Sequence, residues 1–243
     1  MSQRPAAARA PAEVEILGAP AAGVLVLTLG AYLLGAIPTA YLAARATRGV
    51  DIRQHGSGNV GGANTIQVAG RTVGLLVVIF DVFVKGPLPV IVAGTVLDYG
   101  KGAEVVAGTA ALAGHDWSIF LRFSGGRGLG TGSGVALAMA WQSWIAFVIV
   151  GFGYWIITRN SPVGWAIALL LLPFIALGLG LASEYVVYAA IFAGLSAIKR
   201  VASNPGERRA PIDMSATRLI WNRLVYDRDI ENRDEWLRGD TGS

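Results

Sequence analysis

Cysteine is absent from the sequence, which excludes a disulfide framework, a thiolate metal site and a cysteine nucleophile. Only two histidines occur, His55 and His115, so a multi-histidine metal site is excluded as well. Charge is also scarce: Asp, Glu, Lys and Arg together make up 15% of the 243 residues, against about a quarter in an ordinary soluble domain. Apolar residues take their place, at 53% of positions with a mean hydropathy of +0.53, and the expected solvent is therefore a lipid bilayer. Thirty-two glycines suit helices that approach closely in lipid. The net charge of +4 and pI near 9.6 suit anionic headgroups or phosphorylated ligands, although basic cytoplasmic loops alone account for the same charge. Nucleic acid is not an expected partner.

The fold class implied is all-α: a polytopic integral membrane protein with about seven transmembrane helices, some of them short or broken. Residues 1–20, rich in Ala, Pro and Arg, read as a disordered tail without the compact cleavage pattern of a signal peptide. Residues 21–200 form the membrane domain. The first span is expected from about Gly23 to Ala44, followed by a glycine-rich polar loop from Gly49 to Arg71. A second span, Val73 to Leu97, carries Asp81, Lys85 and Gly86-Pro87, and a break is expected there. A third span ends near Arg122, before a second glycine-rich loop.

Gly132 to Thr158 is apolar for about 27 residues, too long for one upright crossing and too short for two complete ones. Basic residues in the loops at 45–71 and 122–127, and at Lys199, Arg200, Arg208 and Arg209, place all three regions on the cytoplasmic side. With further spans at 163–181 and 185–199, parity then requires a split near Gln142, seven helices and an external N-terminus. Residues 201–243 form a cytoplasmic tail. Within it, Met214 to Tyr226 sets Leu219, Ile220, Trp221, Leu224 and Val225 among basic residues, as in a helix lying on the membrane surface or a small cytosolic appendage.

Gly56-Ser57-Gly58-Asn59-Val60-Gly61-Gly62-Ala63-Asn64 mixes glycines with hydroxyl and amide side chains, a composition suited to converging donors on an anion. It is not a nucleotide P-loop, because Gly62 and Ala63 stand where Lys and Ser or Thr would be needed. An interhelical turn is the alternative. Asp81 and Lys85 share a helix face and can neutralise each other, either as a structural pair or with Asp81 orienting Lys85 toward an anion. His115, at the cytoplasmic end of the third span near Trp117 and Phe120, is a candidate base or donor, or simply a capping residue. Arg127, between Gly126 and Gly128, is open to gripping phosphate in a bidentate manner; a positive-inside anchor accounts for its charge but not for the glycines.

Several stretches resemble the bacterial acyl-phosphate:glycerol-3-phosphate acyltransferases of the PlsY family. They are Ala31 to Thr39, Asp51-Ile52-Arg53 with Gly56 to Asn64, Asp81 to Gly86, and Gly114-His115 through Gly128 to Thr131, in matching order. The resemblance covers about residues 25–200. It implies transfer of a fatty acyl group from acyl phosphate to the sn-1 hydroxyl of glycerol 3-phosphate, giving lysophosphatidate for phospholipid synthesis. It further implies seven helices in the inner membrane, a site facing the cytoplasm, and no metal or nucleotide. Carried over, Ser57, His115 and Lys85 are the catalytic candidates. Ser57, Gly58, Asn59, Asn64, Arg71, Lys85, Gly126 and Arg127 are the substrate-binding ones, with Arg127 in place of the family's usual lysine.

No dedicated nucleophile is evident, so the glycerol hydroxyl is expected to attack directly while positioned charges stabilise the transition state. The sequence departs from the family pattern at Ala63, at Gln67 where an arginine is usual, and at Ala197 where an asparagine is usual; Asn204 and Glu207 match only with a shift. Asp81 and Lys85 are four apart where three is usual, and Arg71 is the expected replacement for the missing arginine. The alternatives these features raise are an organic-phosphate binding or transport protein and a catalytically inactive homologue.

Overall fold

The computed structural model describes residues 14–207, 210–211 and 213–238. Arg208 and Arg209, used above to orient the tail, lie outside the described residues, as do residues 1–13 of the expected N-terminal tail. From Val14 onward that tail has structure, because Glu15–Ile16 pairs antiparallel with Ala19–Pro20 ahead of the first helix.

Helices dominate the rest. The expected first span is two helices, α1 (Ala21–Ala36) and α2 (Thr39–Arg48). They are separated because Pro38 supplies no backbone N–H and drives Ile37 to an extended ψ of 116°. The polar loop leads into α3 (Gly62–Ala69), which packs on α4 (Arg71–Phe80). A π-turn at Asp81–Lys85 joins α4 to α5 (Pro87–Ile91), and a second π-turn follows at Val92–Val96. Pro87 and Pro89 withdraw the donors that regular helix would require, and the chain passes through wider i to i+5 bonds, Gly86 N to Asp81 O at 3.1 Å and Leu97 N to Val92 O at 3.0 Å.

Next come α6 (Gly100–Asp116), α7 (Leu129–Met139), α8 (Trp141–Thr158), α9 (Ser161–Gly178) and α10 (Ser183–Ala202). The split expected near Gln142 occurs at Ala140, whose φ of −155° and ψ of 82° interrupt the helix. Among the described residues, five helical stretches are long and apolar enough to cross a membrane: Ala21–Arg48, Arg71–Val96, α8, α9 and α10. The shorter α6 and α7 are buried among them. A segment as short as α7 is admissible at membrane depth because other helices, not lipid, surround it.

The core of the bundle is apolar side chains from α6 to α10, including Leu112, Val135, Phe147, Leu172 and Phe192. Where α1 crosses α6 the contact is made of backbone. A Cβ added at Gly35 would collide with the Ala111 carbonyl, and one at Gly114 with that of Tyr32. Only glycine permits that approach, which is how small residues substitute for hydrophobic driving force in lipid. Large exposed side chains such as Val26, Ile149, Ile157 and Leu170 form the outer surface.

At one end of the bundle, α11 (Ala216–Tyr226) packs against α9 and α10, and α12 (Arg233–Arg238) follows. Arg200 Nη1 donates to the Leu224 carbonyl at 2.7 Å, and Arg223 Nη1 donates to that of Val201 at 2.8 Å. Ile220 and Trp221 remain exposed on α11.

Candidate active site

At the break between α1 and α2 the Ile37 carbonyl accepts from Thr39 N at 2.9 Å in place of a helical donor, and Lys85 adds a second bond. Its Nζ donates to Ile37 O at 2.8 Å and to Thr39 Oγ1 at 3.2 Å, and lies 2.8 Å from Asp81 Oδ1. Thr39 Oγ1 in turn donates to Asp81 Oδ1 at 2.9 Å. Asp81 and Lys85 are 3% and 1% exposed, so this charge pair is removed from water and is tolerable only because each partner is hydrogen-bonded. The spacing of four falls within the π-turn, whose extra width keeps both side chains together. Such turns recur at functional positions in helices.

His115 stands beside this pair. Its Nδ1 is 3.1 Å from Thr131 Oγ1 and 3.9 Å from Asp81 Oδ2. Nε2 faces Gly126, where an added Cβ would strike the imidazole. Gly126 N donates to His115 O at 3.0 Å and Gly125 N donates to Asp116 O at 3.2 Å, so the second glycine-rich loop is laid backbone-first against the end of α6. A cavity of about 10 Å³ is bounded by Ile37, Thr39, Lys85, His115, Gly126 and Val60 among others, room for about one water.

Val60 belongs to the first polar loop, and the loop's shape is set by Asn64. Asn64 Oδ1 accepts from Ser57 N at 2.9 Å, and Nδ2 donates to the carbonyls of Ile52, His55 and Asn59 at 3.2, 3.0 and 2.9 Å. The side chain is 2% exposed, with its hydrogen-bonding capacity directed into the loop. Asn64, expected to touch substrate, thus acts here as the staple that coils the backbone. Gly56 and Gly58 adopt left-handed φ of 59° and 75°, which the turn requires. Ser57 and Asn59 are half-buried, Gly58 is buried, and Asn59 Oδ1 has no hydrogen-bond partner. Asp51 closes the loop's base on Arg53, whose hydrogen bonds hold the Asp51 carboxyl below its ordinary value.

Arg71 lines neither this cavity nor the neighbouring groove. It is exposed at the first position of α4. The groove, about 480 Å³, is bounded by Arg48, Val50, His55, Gly56, Gln67 and Val68, and its arginine is Arg48 from the end of α2.

Arg127 also differs from expectation. Its guanidinium is 5% exposed and committed: Nη2 to Glu207, Nε to Asp227 Oδ1 at 2.6 Å, and Nη1 to the Lys199 carbonyl at 3.2 Å. The flanking glycines serve close packing, not openness. A Cβ at Gly125 would meet the His115 carbonyl, and one at Gly128 would meet Leu112 and Asp116. Glu207 is 1% exposed, and burial pushes its carboxyl above its ordinary value despite the Arg127 cation beside it. Asn204 Nδ2 donates to Glu207 Oε1 and to the Gly125 carbonyl at 2.9 Å, while its Oδ1 accepts from Lys199 Nζ at 2.9 Å. Asp116 is fully buried, and neither carboxylate oxygen has a hydrogen-bond partner among the described residues.

Local sequence did not single out Thr39, Thr131, Asp116, Lys199 or Asp227 as site residues. Thr39 alone carried a signal, as the hydroxyl directly after the Pro38 break. Lys85, His115 and Gly126 do converge on the cavity, Ser57 stays within its own loop bonded to Asn64 and Asn59, and Arg127 joins a second polar cluster.

A helical membrane bundle with a buried Asp-Lys-His group beside two glycine-rich loops defines a membrane enzyme or carrier for anions. The comparisons narrow this class. The sequence profile of the glycerol-3-phosphate acyltransferase family matches residues 25–207, and the chain belongs to that family. It is similar to glycerol-3-phosphate acyltransferase 5 of Dehalococcoides mccartyi, 36% identical over 219 residues that span 88% of this chain and 92% of the relative. The enzyme of Geobacter sulfurreducens is 41% identical over 61% of this chain and 75% of its own length. The crystal structure of PlsY, an integral membrane glycerol 3-phosphate acyltransferase in its glycerol 3-phosphate form, superposes with a TM-score of 0.69 at 28% identity, covering 73% of this chain and 88% of that one. Its lysophosphatidic acid form gives 0.67 at 27% identity, with the same coverage.

Proposed function

We propose that the protein transfers a fatty acyl group from acyl phosphate to the sn-1 hydroxyl of glycerol 3-phosphate, releasing lysophosphatidate and phosphate. The observation that carries this reading is the convergence of Lys85, His115 and the Gly126 backbone on one cavity at the break in the first span. Family membership supplies the substrate class, since relatives bear the name glycerol-3-phosphate acyltransferase and the related structures contain glycerol 3-phosphate and lysophosphatidic acid.

In the proposed reaction the hydroxyl oxygen attacks the acyl carbon, the acyl–phosphate C–O bond breaks, and the hydroxyl proton passes to His115 Nε2 or a phosphate oxygen. In this proposal Lys85, which lines the cavity, offsets charge on the departing phosphate, and the Ser57 to Asn59 turn supplies further amide donors to the substrate phosphates. A cavity of about 10 Å³ is smaller than a phosphate group, so in this proposal the cavity widens to admit substrate. Arg48, not Arg71, brings positive charge to the groove lined by Gln67. The chain would cross the cell membrane seven times, counting α6 and α7, with both polar loops on the cytoplasmic side.

Purified protein given acyl phosphate and glycerol 3-phosphate should form lysophosphatidate and release phosphate. No product from a preparation shown to bind glycerol 3-phosphate would overturn the proposal, and would direct attention to the carrier and inactive-homologue readings.

A further inference from the structure

The family match ends at residue 207, yet a residue beyond it is joined to the second glycine-rich loop. Asp227 Oδ1 accepts from Arg127 Nε at 2.6 Å across 100 residues of sequence. Of the two carboxylates on Arg127, that of Glu207 is enclosed, at 1% side-chain exposure, and that of Asp227 is the outer one, at 19%. Asp227 ends α11 with a left-handed φ of 56°, a conformation that Asp and Asn tolerate better than most residues. α11 is tied to the bundle separately, by Arg223 Nη1 to the Val201 carbonyl at 2.8 Å and by Arg200 to the Leu224 carbonyl, while Arg223 Nε pairs with Asp229 Oδ1 at 2.6 Å just beyond the helix. Asp227 can therefore release Arg127 without the helix leaving the bundle.

A guanidinium N–H that holds a carboxylate oxygen can equally hold a phosphate oxygen. We propose that Asp227 is a positioning residue that occupies the Nε–H of Arg127 in the resting protein and yields it to the phosphate of the polar substrate. The C-terminal segment then sets how tightly that substrate binds. This inference rests on the acyltransferase reading and on Arg127 being a phosphate contact once freed.

The test uses the full chain in detergent. Kinetics are measured with glycerol 3-phosphate as the varied substrate and inorganic phosphate as inhibitor. Asp227→Asn preserves size and left-handed tolerance while removing the charge. It should lower KM for glycerol 3-phosphate, and the phosphate concentration needed to inhibit, by roughly tenfold, the factor carried by one charge-assisted contact, with kcat little changed. Asp229→Asn loosens α11 without touching Arg127 and should leave KM in place. An unchanged or raised KM in Asp227→Asn, or an equal fall in Asp229→Asn, overturns the inference. Arg127→Lys keeps the charge but loses the fork and should raise KM. If it does not, Arg127 is no phosphate contact, whereas a raised KM there with no effect of Asp227→Asn removes the Asp227 role alone.

Discussion

Replacing Lys85 by methionine removes a buried cation while nearly filling its volume, and the structure sets the consequence. Lys85 Nζ neutralises Asp81 at 2.8 Å and donates to the Ile37 carbonyl at 2.8 Å, with both charged residues under 4% exposed. Without it Asp81 keeps the Thr39 hydroxyl at 2.9 Å and His115 Nδ1 at 3.9 Å among the described residues. Breaking one side of a buried ion pair costs about 3–5 kcal/mol, whereas replacing both sides by neutral groups of similar volume is often close to neutral. Lys85→Met should therefore lower the midpoint of thermal unfolding in detergent by roughly 10 °C, at about 2–4 °C per kcal/mol for a chain of this size. Adding Asp81→Asn should restore most of that loss. Both variants should be inactive in lysophosphatidate formation, because recovering stability does not return the cation. Tryptophan fluorescence during heating gives the midpoint. Equal midpoints for the single and double variants would refute the claim that Asp81 is balanced by Lys85.

Gly126→Ala places a methyl on His115 Nε2 and the Val60 carbonyl; it should reduce turnover by about a hundredfold, the scale of an ångström of misplacement, while costing only about 1–3 kcal/mol of stability. Asn64→Asp keeps the acceptor for Ser57 N but turns a carboxylate oxygen toward three carbonyls. It should cost about 3 kcal/mol or more and open the 56–64 loop to limited proteolysis. Arg48→Ala should raise KM for glycerol 3-phosphate about fivefold at low ionic strength, and Arg71→Ala should not, since only Arg48 lines the groove. Equal effects of the two would show that the groove does not discriminate between them.

The spans were readable because a helix must carry about 20 apolar residues to satisfy its backbone in lipid, and parity placed the break at 132–158 within two residues of Ala140. The division at Pro38 was not anticipated, although its cause, a proline inside an apolar run, was present. Asp81 and Lys85 were legible as a pair from their spacing. The carbonyl that Lys85 caps lies 48 residues away and leaves no local trace. At Arg127 the glycines that suggest access for a ligand are also demanded by the close contacts at His115 and Asp116, a constraint that local pattern does not show. The two carboxylate partners of Arg127, 80 and 100 residues distant, could be found only in the fold. The loop-stapling bonds of Asn64 were not legible, since an amide that binds ligand and one that staples a turn are the same residue in sequence.

Mass spectrometry of the products formed from acyl phosphate and a panel of phosphorylated alcohols tests the proposed activity most directly. Acyl transfer to the sn-1 hydroxyl of glycerol 3-phosphate, abolished by Lys85→Met, is the result predicted. No acylated product from any alcohol, or transfer only from a donor other than acyl phosphate, would contradict it.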